Sequence, residues 1–226
     1  MPTVAENSLI TLKDPRSPIA EAYRTLRTNL EFSSLDQPLH SLVVTSAGPE
    51  EGKSTTLANL AVITAETGRK VILVDADLRR PRQHEIFGLP NTVGLTSMMV
   101  DEALLKQPPL QATEVPSLWV LTSGPQPPNP AELLASRRMS EVISLLTDQA
   151  DMVMFDAPPV IAVTDAAVLA PRVDGVLLVI SAGSTRRDYV RQAKALLEKV
   201  NARVIGAALT NVVFDSVMHR YYGQEK

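Results

Sequence analysis

Apolar and polar positions fall in blocks along this chain rather than alternating residue by residue. The runs 41–46, 71–75, 118–122, 152–156, 175–181 and 204–211 are mostly continuous apolar stretches, the pattern of parallel strands buried on both faces. Between them, 54–67 (closed by Gly68), 131–147, 161–170 and 187–200 read as helices. Strand and helix taking turns predict an α/β fold, a mostly parallel sheet with helices on both faces. The stretch 105–130 is rich in proline and predicts loops, interrupted by the strand that carries Trp119.

Upstream of the first strand, Ser17-Pro18 has the form of an N-cap followed by proline at the first helical position. Ile19, Tyr23, Leu26 and Leu30 then line one stripe, while Glu21, Arg24, Arg27 and Glu31 share another face that, on its own, would simply meet solvent. Residues 1–17 are polar and predict a flexible arm, 18–214 a single domain with its N-terminal helix, and 215–226 a tail bearing Tyr221 and Tyr222. No internal repeat or linker marks a second domain.

Composition narrows the function classes. A chain of 226 residues can bury a sizeable core, and an apolar fraction of 45% excludes general disorder. A net charge of −3 gives no reason to expect a nucleic-acid partner. Without cysteine there is no disulfide, thiol nucleophile or Cys-zinc site, which fits a reducing cytoplasm. His40, His84 and His219 show no metal-ligand spacing. No apolar run approaches the roughly 20 residues of a bilayer span, and the first residues lack the basic start and apolar centre of a signal peptide. The expectation is a soluble cytoplasmic protein with no direct membrane span, for which any membrane role needs a partner.

The chemistry begins after the first strand, at Ala47-Gly48-Pro49-Glu50-Glu51-Gly52-Lys53-Ser54-Thr55. A strand, a Gly-rich turn ending in Gly-Lys-Ser and a following helix are the layout of a P-loop, with Ala47 where the pattern opens on Gly. Backbone N–H groups of the turn and helix N-terminus wrap phosphate oxygens, Lys53 adds a point charge and the Ser54 hydroxyl can ligate Mg²⁺. Gly48, Glu50, Glu51, Gly52, Lys53, Ser54 and Thr55 are therefore the candidate nucleotide-binding residues.

Two further strands end in acids. The second run closes with Asp75-Ala76-Asp77, and residues two apart in an extended chain point the same way. The run 152–156 ends in Asp156. In a parallel sheet these ends share the edge that carries the P-loop, where ligands bind. Acids beside phosphates repel them unless a cation intervenes, so the arrangement implies Mg²⁺, and a spare carboxylate can accept a proton from an attacking hydroxyl.

From about Ser17 to Tyr222 the sequence resembles the bacterial tyrosine kinases that control capsule and exopolysaccharide chain length. The likeness rests on Glu21-Ala22-Tyr23-Arg24-Thr25-Leu26-Arg27, the P-loop, Asp75-Ala76-Asp77-Leu78-Arg79-Arg80-Pro81, Pro128-Asn129-Pro130-Ala131-Glu132 and Phe155-Asp156-Ala157-Pro158-Pro159. It implies an ATP- and Mg²⁺-dependent tyrosine autokinase, with Lys53, Asp75, Asp77 and Asp156 in catalysis. Ser54, Asp75 and Asp156 would serve the metal and Asp77 the proton, while Asn211 would lie near the adenine as in related ATPases. It further implies a homo-oligomeric ring joined through Glu21, Arg24 and Arg27, phosphoacceptors Tyr221 and Tyr222 offered to the neighbouring subunit, and a separate transmembrane adaptor whose cytoplasmic tail docks here. Two departures stand out: the tail holds two tyrosines rather than a dense cluster, and Glu50 takes a position where close relatives often have Gly. Gly48 replaces the early lysine of the switch ATPases of this superfamily, which argues against that alternative. The short tail leaves open a nucleotide-sensing regulator of polysaccharide export with little kinase activity.

Overall fold

The computed structural model describes residues 9–33 and 35–212. Its sheet is built around β1 (Ser41–Ser46), every residue of which is buried. β2 (Val71–Asp75), β5 (Met152–Asp156) and β6 (Gly175–Ser181) run parallel to it, with β4 (Leu118–Leu121) outside β2 and β7 (Val204–Thr210) outside β6. A two-residue strand β3 (Gln111–Ala112) adds antiparallel to β4, giving the order β3-β4-β2-β5-β1-β6-β7. The expected α/β sheet is thus present. Its strand ends agree with the sequence reading except that β4 and β7 stop one residue early.

Alternate strand residues feed two cores. Val43, Ile72, Val74, Val153 and Phe155 pack on one face against α7 (Pro130–Ala135), α8 (Arg137–Thr147), α9 (Asp165–Leu169) and α10 (Arg187–Lys199). Leu42, Val44, Leu73 and Met154 pack on the other against α3 (Lys53–Ala65) and α2 (Pro18–Phe32). α3 is buried almost all round, from Thr56 to Ala65, because α2 and the short α1 (Ile10–Lys13) cover the side that the sheet does not.

α1 corrects one expectation. Over its described part, the predicted arm is docked: the Thr11 backbone N–H and hydroxyl both donate to Asn59 Oδ1 in α3, at 3.1 and 2.9 Å, and Thr11 is fully buried. α2 starts where expected, with Ser17 Oγ accepting from the Ala20 N–H. Its seam is shifted, however. Ile19 is 46% exposed while Ala20 is buried, and Leu26 and Leu30 supply the contact.

The single helix expected over 131–147 is two. Ser136 is extended (φ −63°, ψ 158°) and caps α8 by accepting from the Met139 N–H. The free carbonyls of Leu134, Ala135 and Ser136 are collected by the Arg172 guanidinium, which follows α9 in a 3-10 turn. α4 (Gln83–Phe87), α5 (Leu95–Met98) and α6 (Glu102–Lys106) are one-turn helices in segments with no periodic signal. The tail 215–226, with Tyr221 and Tyr222, lies outside the described residues.

Candidate nucleotide site

β1 delivers the phosphate loop at the C-terminal edge of the sheet. Gly52 adopts a left-handed conformation (φ +84°) and leads directly into α3, leaving that helix's first N–H groups uncapped by any side chain and free for an anion. Glu50 is also left-handed (φ +59°), a conformation costing a residue with a Cβ roughly 1–2 kcal/mol. That explains why glycine suits this position. The Glu50 side chain is exposed, whereas Glu51 is buried and turned back into the loop, its carboxylate accepting from the Ala47 and Gly48 N–H groups at 3.1 and 3.0 Å. A Cβ on Gly48 would stand 3.2 Å from Glu51 Oε1, so the small residue makes room for that carboxylate.

The three strand-end acids converge. Asp75 and Asp156 are register partners across β2 and β5, and both are fully buried. The Lys53 ammonium bridges Asp77 Oδ2 at 2.8 Å and Asp156 Oδ1 at 3.0 Å, and also donates to Ser54 Oγ at 3.1 Å. Burial alone would pull the Lys53 pKa down, but Asp156 and Asp77 outweigh it and hold the ammonium above its ordinary value. The second Asp156 oxygen accepts from Gln83 Nε2 at 2.8 Å.

Asp75 is the strained member of the group. Its Oδ2 accepts from the backbone N–H groups of Arg82 and Gln83, both at 2.9 Å, while the buried Oδ1 has no hydrogen-bond partner. Burial, then repulsion from Asp156, pushes the carboxyl up to about 8, against the opposing pull of the Gln83 N–H and the Lys53 charge. Lys53 meanwhile balances the other two acids, Asp77 and Asp156.

Sequence reasoning missed several residues here. Gln83, fully buried, ties Asp75, Asp156 and the Ser54 carbonyl together. Arg79 makes a two-pronged ion pair with the fully buried Asp165, both contacts at 3.0 Å. Nothing local in a glutamine or in an aspartate 86 positions away signals such roles. Asn211 sits at the end of β7 beside the loop, where Thr210 touches Gly52's open side, but its own amide donates to Ser181 Oγ.

The residues at hand suit a magnesium ion. Among the described residues, no cluster of three or more His, Cys, Asp or Glu side chains could cage a metal. What the site offers is oxygen: the Ser54 hydroxyl and the unpartnered Asp75 Oδ1. Mg²⁺ keeps several waters and takes one or two protein oxygens plus phosphate, so this donor set fits it. The cleft above, about 510 Å³, is lined by Pro49, Gly52, Lys53, Ser54, Asp77 and Arg80 among others.

The helix expected to carry subunit contacts divides its charges. Arg24 pairs with Glu21 at 3.1 Å along the helix, while Arg27 reaches inward to the Ile63 carbonyl of α3 at 3.3 Å. Arg27 thus holds α2 on α3 and also pairs along the helix with Glu31 at 3.8 Å. Among the described residues no helix is long and apolar enough to cross a membrane.

A phosphate loop closed by lysine and serine, facing carboxylates on two neighbouring strand ends, defines a P-loop nucleotide-binding domain. The chain belongs to the CobQ/CobB/MinD/ParA nucleotide-binding domain family, whose model matches residues 42–220, and within it to the bacterial tyrosine kinases. It is 46% identical over 218 residues to tyrosine-protein kinase YwqD of Bacillus subtilis (strain 168), covering 96% of this chain and 91% of that protein. The crystal structure of the chimerical protein CapA2B2 superposes with a TM-score of 0.87 at 40% identity, covering 92% of this chain and 91% of that one. The kinase domain of Escherichia coli tyrosine kinase ETK gives 0.83 at 31% identity, covering 92% and 83%. Matched against the whole of etk from Escherichia coli (strain K12), 34% identical over 204 residues, the alignment takes in 90% of this chain but 28% of that protein.

Proposed function

We propose that this chain is an ATP- and Mg²⁺-dependent protein-tyrosine autokinase that regulates capsular or exopolysaccharide synthesis and export. The observation that carries the reading is the convergence of Lys53, Ser54 and the acids Asp75, Asp77 and Asp156 on one sheet edge, in a chain that parallels a tyrosine-protein kinase over nearly its whole length.

In this reading the backbone N–H groups from Glu50 to Thr55 wrap the phosphates, and the Lys53 ammonium exchanges one of its carboxylate partners for a phosphate oxygen. That exchange keeps the charge paired throughout. Ser54, Asp75 and Asp156 would hold Mg²⁺, which when bound would neutralise phosphate charge. Once Lys53 has moved toward phosphate, Asp77 keeps the Arg80 N–H on Oδ1 while its released Oδ2 takes the proton of the attacking tyrosine hydroxyl, whose pKa of about 10 makes it a poor nucleophile unaided. Asn211 lies near the adenine. Tyr221 and Tyr222 are the acceptors, delivered in trans within a ring that the Glu21, Arg24 and Arg27 face helps to close. The protein works in the cytoplasm, recruited to the membrane by the tail of a separate transmembrane adaptor.

The test is incubation of the purified protein with ATP and Mg²⁺, with and without the adaptor tail, followed by phosphosite mapping. Phosphotyrosine at the tail supports the kinase. ATP binding and turnover with no phosphotyrosine under either condition would make the protein a nucleotide-sensing regulator instead.

A further inference from the structure

Glu51 is an acid inside a phosphate loop, where a free negative charge would oppose the ligand. Its surroundings account for that charge. The carboxylate is shared by three donors, the Ala47 and Gly48 N–H groups and the Thr185 hydroxyl at 2.8 Å. The Thr185 oxygen accepts from the Ser181 N–H at 3.1 Å, which leaves its proton directed at Glu51. The main chain of the same residue is held separately, because Thr210 Oγ1 donates to the Glu51 carbonyl at 2.8 Å.

We propose that Glu51 and Thr185 are positioning residues that set the phosphate loop against the ends of β6 and β7, shaping it for a nucleoside triphosphate before one arrives. The inference rests on the reading of this cleft as a nucleotide site. The Glu51 carboxylate closes residues 47–51 into a ring by accepting from the Ala47 and Gly48 N–H groups, and the Glu51 peptide leads straight into Gly52 and the start of α3. A displacement of Glu51 is therefore passed to Lys53 and Ser54. Thr185 lies 134 residues from Glu51 in sequence, on the loop between β6 and α10. The same loop region receives the Asn211 amide through Ser181, so one hydrogen-bonded set spans the phosphate loop and the end of β7. The arrangement fixes the distance between the groups that would hold phosphate and those beside the nucleoside.

The experiment uses the full chain and compares Thr185→Val, Thr185→Ser and Glu51→Gln with wild type. It measures Mg·ATP affinity, kcat and KM for ATP, and the melting temperature without nucleotide. Thr185→Val should raise the dissociation constant and KM roughly tenfold, the scale of losing one hydrogen bond to a charged group, with kcat held within about twofold. Thr185→Ser, which keeps the hydroxyl, should bind as wild type. Glu51→Gln places a donor amide against the loop N–H groups and should lose more affinity than Thr185→Val. A purely structural role would instead lower the melting temperature while leaving KM unmoved in the folded fraction. Wild-type affinity in Thr185→Val would overturn the inference alone; a wild type that does not bind Mg·ATP would take the reading of the site down with it.

Discussion

Replacing Asp75 by asparagine should stabilise the empty protein while abolishing its chemistry. The carboxyl is fully buried, its Oδ2 satisfied by two backbone N–H groups and its Oδ1 left without a partner next to Asp156. An asparagine oxygen can accept the same two N–H groups, and its amide would then offer donors where the repulsion now lies. The folded pKa stands at about 8 against an ordinary value of 3.8. Between those two pH values the folded state keeps a proton that the unfolded chain has lost, so wild-type stability falls as pH rises through this window. The Asp75→Asn variant has no such proton at this position, and its advantage should widen from pH 5 to pH 8. At 1.36 kcal/mol per unit the ceiling is ~4 kcal/mol over about three units, and water entering the cleft brings the expectation to about 2–4. For a domain of this size that is a melting-temperature difference of roughly 10 °C. Urea and thermal unfolding of both proteins, in chelator and without nucleotide, would measure it at several pH values. A variant that folds normally yet shows no widening advantage from pH 5 to pH 8 would refute the argument. Phosphotyrosine formation should be lost in the same variant.

Lys53→Met leaves Asp77 and Asp156 without the ammonium that bridges them; ATP turnover should fall by the several kcal/mol of transition-state stabilisation that such a charge provides, and normal turnover in a folded variant would unseat the phosphate-cradle assignment. Arg24→Glu sets a like charge beside Glu21 without touching the Ile63 contact that Arg27 makes; gel filtration of an oligomeric wild type should show a smaller species that still binds ATP, and an unchanged elution volume would return this face to solvent. Tyr221→Phe with Tyr222→Phe keeps the rings and removes the hydroxyls; mass spectrometry should find total phosphotyrosine sharply reduced, whereas an unaffected signal would place the acceptors elsewhere.

The sequence by itself determined the layers of this protein and the edge on which its chemistry sits. Continuous apolar runs such as 71–75, apolar up to its terminal Asp75, and 175–181 are local signals, because a strand buried on both faces must be apolar at nearly every position, and the structure returns both with the same bounds. The phosphate loop and the acids at 75, 77 and 156 were legible for a related reason: loop chemistry is written in adjacent residues, and a parallel sheet brings strand ends together whatever their order. Signals shorter than a helical turn or two failed. β3 has two residues, α4 to α6 have no more than five, and the break at Ser136 hangs on one serine that caps where a helix could have continued. Only the tertiary structure decided how the site is wired. The register of β2 on β5 sets Asp75 beside Asp156; burial, with that proximity, pushes the Asp75 carboxyl up while Lys53 settles on the other two acids. Gln83, the Arg79–Asp165 pair and the Thr185–Glu51 contact join residues up to 134 positions apart. Hydrogen bonds and Coulomb forces act on distance in space, and no spacing along the chain encodes which distant side chains the fold will bring into hydrogen-bonding reach of each other.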